Sequence, residues 1–193
     1  MTLRHESPGS EVERLGVTGF FVREHFLGHE LARAVRREAE AVTLRPAAIR
    51  RSRVLDPQVR SDDIAWLTAE EASGALRAAV IAFERLRDEV NQSAWLGLRG
   101  FDLQLARYAP GARYVKHRDA FPGQDNRRLT AIVYLNEGWQ PEHGGELELC
   151  VEPPQRVQPT LDRLVVFRSE LIEHQVLEAH AERWALTAWY SAR

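Results

Sequence analysis

Between Phe101 and Tyr190 apolar residues recur at every second position in short runs, and this period of two dictates a chain of short strands. Phe101, Leu103 and Leu105 alternate with Asp102 and Gln104, and similar runs occupy 129–135, 146–151, 164–167 and 184–190. Each run is bounded by residues that turn a backbone, such as Pro110-Gly111, Asn136 to Gly138, Gly144-Gly145 and Pro153-Pro154. Many short strands in sequence close most readily into two stacked sheets, a jelly roll.

The half before Phe101 reads differently. Past a polar start expected to be flexible over residues 1–16, 17–22 read as a short strand. Phe26, Leu27, Leu31, Ala34, Val35, Ala39 and Val42 then repeat at helical spacing. A second helix is expected over 68–91, with Thr68 and Glu71 as a capping box and Leu76, Val80, Phe83, Leu86 and Val90 as its apolar stripe. Between them, 44–63 holds Pro46 and Pro57 with Arg45, Arg50, Arg51 and Arg53, which suits a mobile basic loop. The expected fold is mainly β with flanking α-helices, as one domain over 1–193, because 193 residues fill one core better than two.

Charge and cysteine content narrow the function classes. A net charge of −2 lacks the basic footprint of a nucleic-acid binder, and no apolar run of about 18 residues is present to span a bilayer. The start has no apolar stretch of a secretory signal, and Cys150, the single cysteine, has no partner for an internal disulfide. A cytoplasmic protein without nucleic-acid or membrane partners is expected; oligomeric state is not encoded. Cys150 is expected to pack as a small hydrophobe, and His25, His29, His143 and His180 to be solvated.

In a strand, residues i and i+2 share a face, so YVKHRDAF sets the imidazole of His117 beside the carboxylate of Asp119. Non-haem Fe(II) oxygenases use two histidines and one carboxylate on one face of the metal. A His-x-Asp pair alone arises by chance, but His174 follows 55 positions after Asp119 in another strand-like segment, and Arg183 nine later. A guanidinium grips a carboxylate with two parallel hydrogen bonds, as the distal end of 2-oxoglutarate requires. In RWALTAWY, Arg183, Ala185, Thr187 and Trp189 share one face, so Thr187 is placed to bond the same carboxylate and Trp189 to line the wall. The competing reading of Arg183 is a surface ion pair with Glu182.

These segments resemble the 2-oxoglutarate oxygenases of the hypoxia-inducible-factor prolyl hydroxylase type and their bacterial single-domain relatives. The resemblance runs over about residues 20–191, through VRSDDIAWL, RYAPGARYVKHRDAF, RRLTAIVYLN, GGELEL, DRLVVFRSELIEHQV and RWALTAWY in order. It implies a double-stranded β-helix, cupin-like, with Fe(II) on His117, Asp119 and His174. It also implies 2-oxoglutarate and O2 as co-substrates, with ascorbate as a supporting reductant, and prolyl C4 hydroxylation of a protein, a translation factor in bacterial relatives. Tyr134 corresponds to a tyrosine that bonds the distal carboxylate beside Arg183, and Tyr108 borders the same pocket. VRSDDIAW resembles the end of a substrate-covering loop anchored by Arg60 and Asp62, and Arg127 is expected to approach the substrate with Trp189. Arg168 departs from the family, which has an aromatic residue there.

Three other readings share parts of this pattern. A nucleic-acid demethylase has the iron triad but a second arginine six positions after the first, where this chain has Trp189. A hydroxylase of a small molecule or free amino acid needs the same centre with a smaller pocket. A non-catalytic jelly roll that binds metal or a partner protein is the reading from outside enzymes.

Overall fold

The computed structural model describes residues 8–47, 56, 58–70, 72–120 and 127–192. Among the described residues are three α-helices and eleven strands: α1 (Pro8–Val17), β1 (Phe20–Arg23), α2 (His29–Glu40), β2 (Arg45–Pro46), β3 (Asp63–Leu67) and α3 (Gly74–Ala94) come first. Then follow β4 (Gly100–Tyr108), β5 (Tyr114–His117), β6 (Arg127–Tyr134), β7 (Leu147–Leu149), β8 (Gln155–Val157), β9 (Leu164–Arg168), β10 (His174–Val176) and β11 (Arg183–Ser191). Seven strands form one antiparallel sheet in the order β1-β9-β6-β11-β4-β3-β2, and four form another in the order β5-β10-β7-β8. This is the jelly roll that the period of two implied.

The central strands of the large sheet are buried on both faces, which is why β11 shows no polar alternation. Its Trp184, Leu186, Ala188 and Tyr190 join Phe83, Leu86 and Val90 of α3 in one core, with Val12 and Leu15 of α1. Tyr190 also donates its hydroxyl to the Phe83 carbonyl at 2.8 Å. Its other face meets the small sheet, where Ile132, Tyr134, Leu147, Leu149, Phe167 and Val176 form a second core. Each fully buried side chain of this size stabilises by about 1.5–3 kcal/mol.

Three expectations change. The polar start carries a helix that the pattern did not suggest: α1 runs from Pro8, with Val12 and Leu15, one helical turn apart, both buried completely or nearly so. The long helix starts at Gly74, later than the Thr68 capping box implied, and Glu71 lies outside the described residues. Its first free amides, Ala75 and Leu76, donate instead to the Glu38 carboxylate of α2 at 2.7 and 3.0 Å. A cap from another helix is invisible to local sequence pattern.

The third change concerns 44–63. Arg45–Pro46 pairs with Ile64 and Asp63 as a strand, and the other end is laced to β5: Val115 donates to the Val59 carbonyl and Ser61 to that of Arg113. One end is thus a short strand and the other an isolated bridge of Arg60 to Tyr114, and Arg50, Arg51, Arg53 and Pro57 lie outside the described residues. No helix among the described residues is long and apolar enough to cross a membrane.

Candidate metal centre and co-substrate pocket

Antiparallel pairing solves the problem of bringing distant residues together. His174 at the start of β10 stands directly opposite His117 at the end of β5, with ring centroids 4.3 Å apart. Asp119 lies just past β5, in a bend rather than in the strand, and turns its carboxylate between the two rings. One oxygen is 3.7 Å from His117 Nε2 and the other 3.6 Å from His174 Nε2. Ligand atoms at about 2.1 Å from a shared ion and at right angles lie about 3 Å apart, so small side-chain shifts close the site.

The surroundings prepare these groups for a cation. His117 Nδ1 contacts the Val115 carbonyl at 2.8 Å and His174 Nδ1 that of Ile172 at 3.4 Å. A carbonyl requires the proton on Nδ1, which leaves the Nε2 lone pairs facing inward, the tautomer a metal needs. Burial and the adjacent His174 push His117 down to about 4, so it is neutral at neutral pH. For Asp119 burial raises the carboxyl, but His174, His117, the Trp189 indole and the Thr130 hydroxyl outweigh it and hold it below the usual carboxylate range.

Next to this triad opens a cavity of about 820 Å³ lined by one face of β11: Arg183, Ala185, Thr187 and Trp189. Arg183 is 1% exposed and has no carboxylate partner among the described residues, so the surface ion pair with Glu182 is not formed. Glu182 accepts instead from Arg36 at 3.0 Å and from the Trp184 indole at 2.8 Å. Arg183 spends only Nε, on the Gly145 carbonyl at 2.8 Å, while its guanidinium carbon lies 4.8 Å from the Tyr108 ring centre and 5.0 Å from that of Tyr134. A buried cation without a counter-ion is costly, and an anionic ligand is what relieves it.

Tyr134 supplies an independent sign of the same ligand. It is fully buried, yet its hydroxyl has no hydrogen-bond partner among the described residues, whereas buried polar groups almost always have one. Burial pushes that hydroxyl up to about 12 against the pull of Arg183, so it is a donor at any physiological pH. Arg183, which lines the cavity, and Tyr134, whose ring centre is 5.0 Å from its guanidinium carbon, thus keep uncommitted donors side by side, and the pair fits a distal carboxylate. Thr187 lines the same cavity and makes no hydrogen bond of its own among the described residues.

The remaining expected site residues fall in two places. Arg127 lines the cavity, with its guanidinium carbon 4.4 Å from the Trp189 ring centre and one nitrogen 3.4 Å from Asp102. Arg60 borders the cavity too, but it is held by Asp62 through two hydrogen bonds of 2.6 and 2.8 Å, with Asp62 buried behind it. Arg60 also lies over Tyr114, and Tyr114 stacks on His117 at 3.6 Å and 18°.

Several supporting residues went unnoticed in the sequence. Thr130, 0% exposed, donates to Asp119 at 2.8 Å and contacts Ser169 at 2.8 Å. Asn136 clamps both backbone groups of Trp184, at 2.6 and 3.0 Å, and so sets the register that carries Arg183. Gly145 has φ +66, and a Cβ there would stand 3.1 Å from Arg183 Cδ. The Gly144-Gly145 pair and the asparagine after Tyr134 were the available signals, though they read as turn residues. Cys150 falls just past β7 and is half-buried.

Comparison with known proteins agrees with this geometry. Residues 103–191 match the family model described as the 2OG-Fe(II) oxygenase superfamily. A prolyl-4-hydroxylase structure from Pseudomonas putida is 35% identical, with a TM-score of 0.87 covering 97% of this chain and 100% of that one. A Trichoplax adhaerens prolyl hydroxylase, solved with a hypoxia-inducible-factor peptide fragment, is 26% identical with a TM-score of 0.88, over 96% and 89% of the two chains. The hypoxia-inducible factor prolyl hydroxylase of Caenorhabditis elegans is 30% identical over 93% of this chain, which spans 27% of that protein's length. With its triad, its unpaired arginine and these relatives, the chain belongs to the 2OG-Fe(II) oxygenase superfamily, on the prolyl 4-hydroxylase branch, whose cofactors are Fe(II), 2-oxoglutarate and O2.

Proposed function

We propose that this protein hydroxylates C4 of a prolyl residue in a protein substrate, converting 2-oxoglutarate and O2 to succinate and CO2. The observation that carries the proposal is one cavity that joins the His117, Asp119 and His174 triad to Arg183, a buried arginine with no carboxylate partner among the described residues, with the Tyr134 ring packed against that arginine. In this reading His117, Asp119 and His174 would hold Fe(II), and Arg183 and Tyr134, with Thr187 alongside, would hold the far carboxylate of 2-oxoglutarate. Bound Fe(II) and 2-oxoglutarate supply the oxidation, one oxygen atom going to succinate and the other to the substrate.

The chain's own contribution is orientation and dryness. Thr130 steadies Asp119, Tyr114 steadies His117, and Ala106, Ile132, Leu147 and Val176 of the core between the two sheets close the cavity floor. Trp66, 51% exposed, stands at the cavity with its ring centre 5.5 Å from that of Trp189. Such an aromatic mouth suits a prolyl ring carried on an extended peptide. Arg127 and Trp189 are then substrate-facing, and Arg60 with Asp62 positions the wall.

A protein substrate is supported by the relatives, and among proteins a translation factor is our first candidate, on the resemblance to bacterial members. A cytoplasmic setting accords with the lone Cys150. The test is incubation with Fe(II), 2-oxoglutarate and either a proline-containing peptide library or a cell lysate, read by mass spectrometry for a gain of about 16 Da on proline. Succinate release with no modified peptide refutes the prolyl reading, and hydroxylation of a free amino acid replaces it.

A further inference from the structure

Among the described residues one other group gathers metal-ligating atoms, and it lies outside the cavity. His25 and His29 flank the Phe26–Leu27–Gly28 turn between β1 and α2, and Asp162 sits in the turn that leads into β9. One ring nitrogen from each histidine and one Asp162 carboxylate oxygen all lie within 4.8 Å of one another. His25 Nδ1 is 3.0 Å from His29 Nε2, and both rings are exposed on the outer side.

Asp162 is the unusual member. It is 0% exposed, and part of its role is structural: Oδ1 accepts the Leu27 amide at 2.6 Å, and its carbonyl accepts the Phe26 amide at 3.1 Å. Oδ2 is also buried and has no hydrogen-bond partner among the described residues. Burial raises this carboxyl against the Leu27 and Gly28 amides and the two histidines, as expected for a carboxylate short of positive charge. Asp162 (φ 66) and His25 (φ 57) are also two of the three non-glycine residues with positive φ among those described, so the chain adopts an uncommon backbone to bring them together.

Turn structure alone explains Oδ1 but neither Oδ2 nor the converging imidazoles. We propose that His25, His29 and Asp162 form a second divalent-cation site, separate from the iron triad. Two imidazoles and one carboxylate are the donor class of Zn(II), with water free to complete a tetrahedron on the exposed side. The cation would bind the β1–α2 turn to the turn before β9. That turn in turn grips Tyr134: Asp162 donates its amide to the Tyr134 carbonyl at 2.8 Å, and the Tyr134 amide donates to Arg163 at 3.0 Å.

The experiment is Zn(II) stoichiometry on untagged full-length protein, by equilibrium dialysis and elemental analysis, with Zn(II) also occupying the iron triad. Wild type is expected to retain two equivalents, His29→Gln one, His174→Ala one, and the double variant none. His29 is exposed, so its substitution leaves the fold intact, and circular dichroism of each variant verifies this. At a hundredfold excess of Zn(II) over its Kd, the His174→Ala protein should melt roughly 5–10 °C higher than without metal, and this gain should vanish on adding His29→Gln. One equivalent in wild type, lost on His174→Ala and unchanged by His29→Gln, overturns the proposal, as does equal retention by wild type and His29→Gln.

Discussion

Replacing Tyr134 by Phe should move stability and co-substrate affinity in opposite directions. In the ligand-free protein the Tyr134 hydroxyl is buried with no partner, and an unsatisfied buried polar group costs about 1–3 kcal/mol. Phenylalanine keeps the ring and its packing against Arg183, whose guanidinium carbon is 5.0 Å from the ring centre. The apo-protein should therefore be as stable as wild type or more so, by up to about 1–3 kcal/mol, which raises Tm by roughly 2–4 °C per kcal/mol at this chain length. With 2-oxoglutarate bound, the same change removes a hydrogen bond to a carboxylate worth about 1.5–3 kcal/mol. Its Kd should then rise roughly 10- to 150-fold, at tenfold per 1.4 kcal/mol. Metal-free thermal melts measure the first effect, and anaerobic titration of the Fe(II) protein with 2-oxoglutarate, followed by visible charge-transfer absorption, measures the second. A variant that melts well below wild type and binds 2-oxoglutarate equally tightly would show that the hydroxyl has a structural partner, and the pocket assignment would fail.

Two further substitutions test how the site is held. Thr130→Val removes the hydroxyl that fixes Asp119 at 2.8 Å, so Fe(II) affinity should fall about 10- to 100-fold, with Thr130→Ser restoring it; iron titration with unchanged affinity would make Thr130 mere core. Asp62→Asn breaks a buried pair and strands Arg60, which should destabilise by about 3–5 kcal/mol in urea unfolding. Replacing both partners by apolar residues of similar size should recover most of that loss, and no recovery would place the effect in Asp62 alone.

Local pattern was enough for the parts of this protein that depend on neighbours along the chain. The period of two set apart β4, β6, β9 and β11, and the helical stripe from Leu76 to Val90 marked the buried face of α3. Residue chemistry at fixed spacing likewise singled out His117, Asp119, His174 and Arg183, because few other residue types bind a metal or grip a carboxylate. What lay beyond pattern was each feature made by residues far apart in sequence. Glu38 caps α3 from 37 positions away, Asp162 comes within metal-ligand distance of His25 and His29 across the turn before β9, and Arg60, held by Asp62, lies over the Tyr114 ring. The sequence could name Arg183 as a cation, but only the folded chain left it buried without a counter-ion, beside a tyrosine hydroxyl with nothing to bond. Those are properties of solvent exclusion, and solvent exclusion exists only once the two sheets have closed.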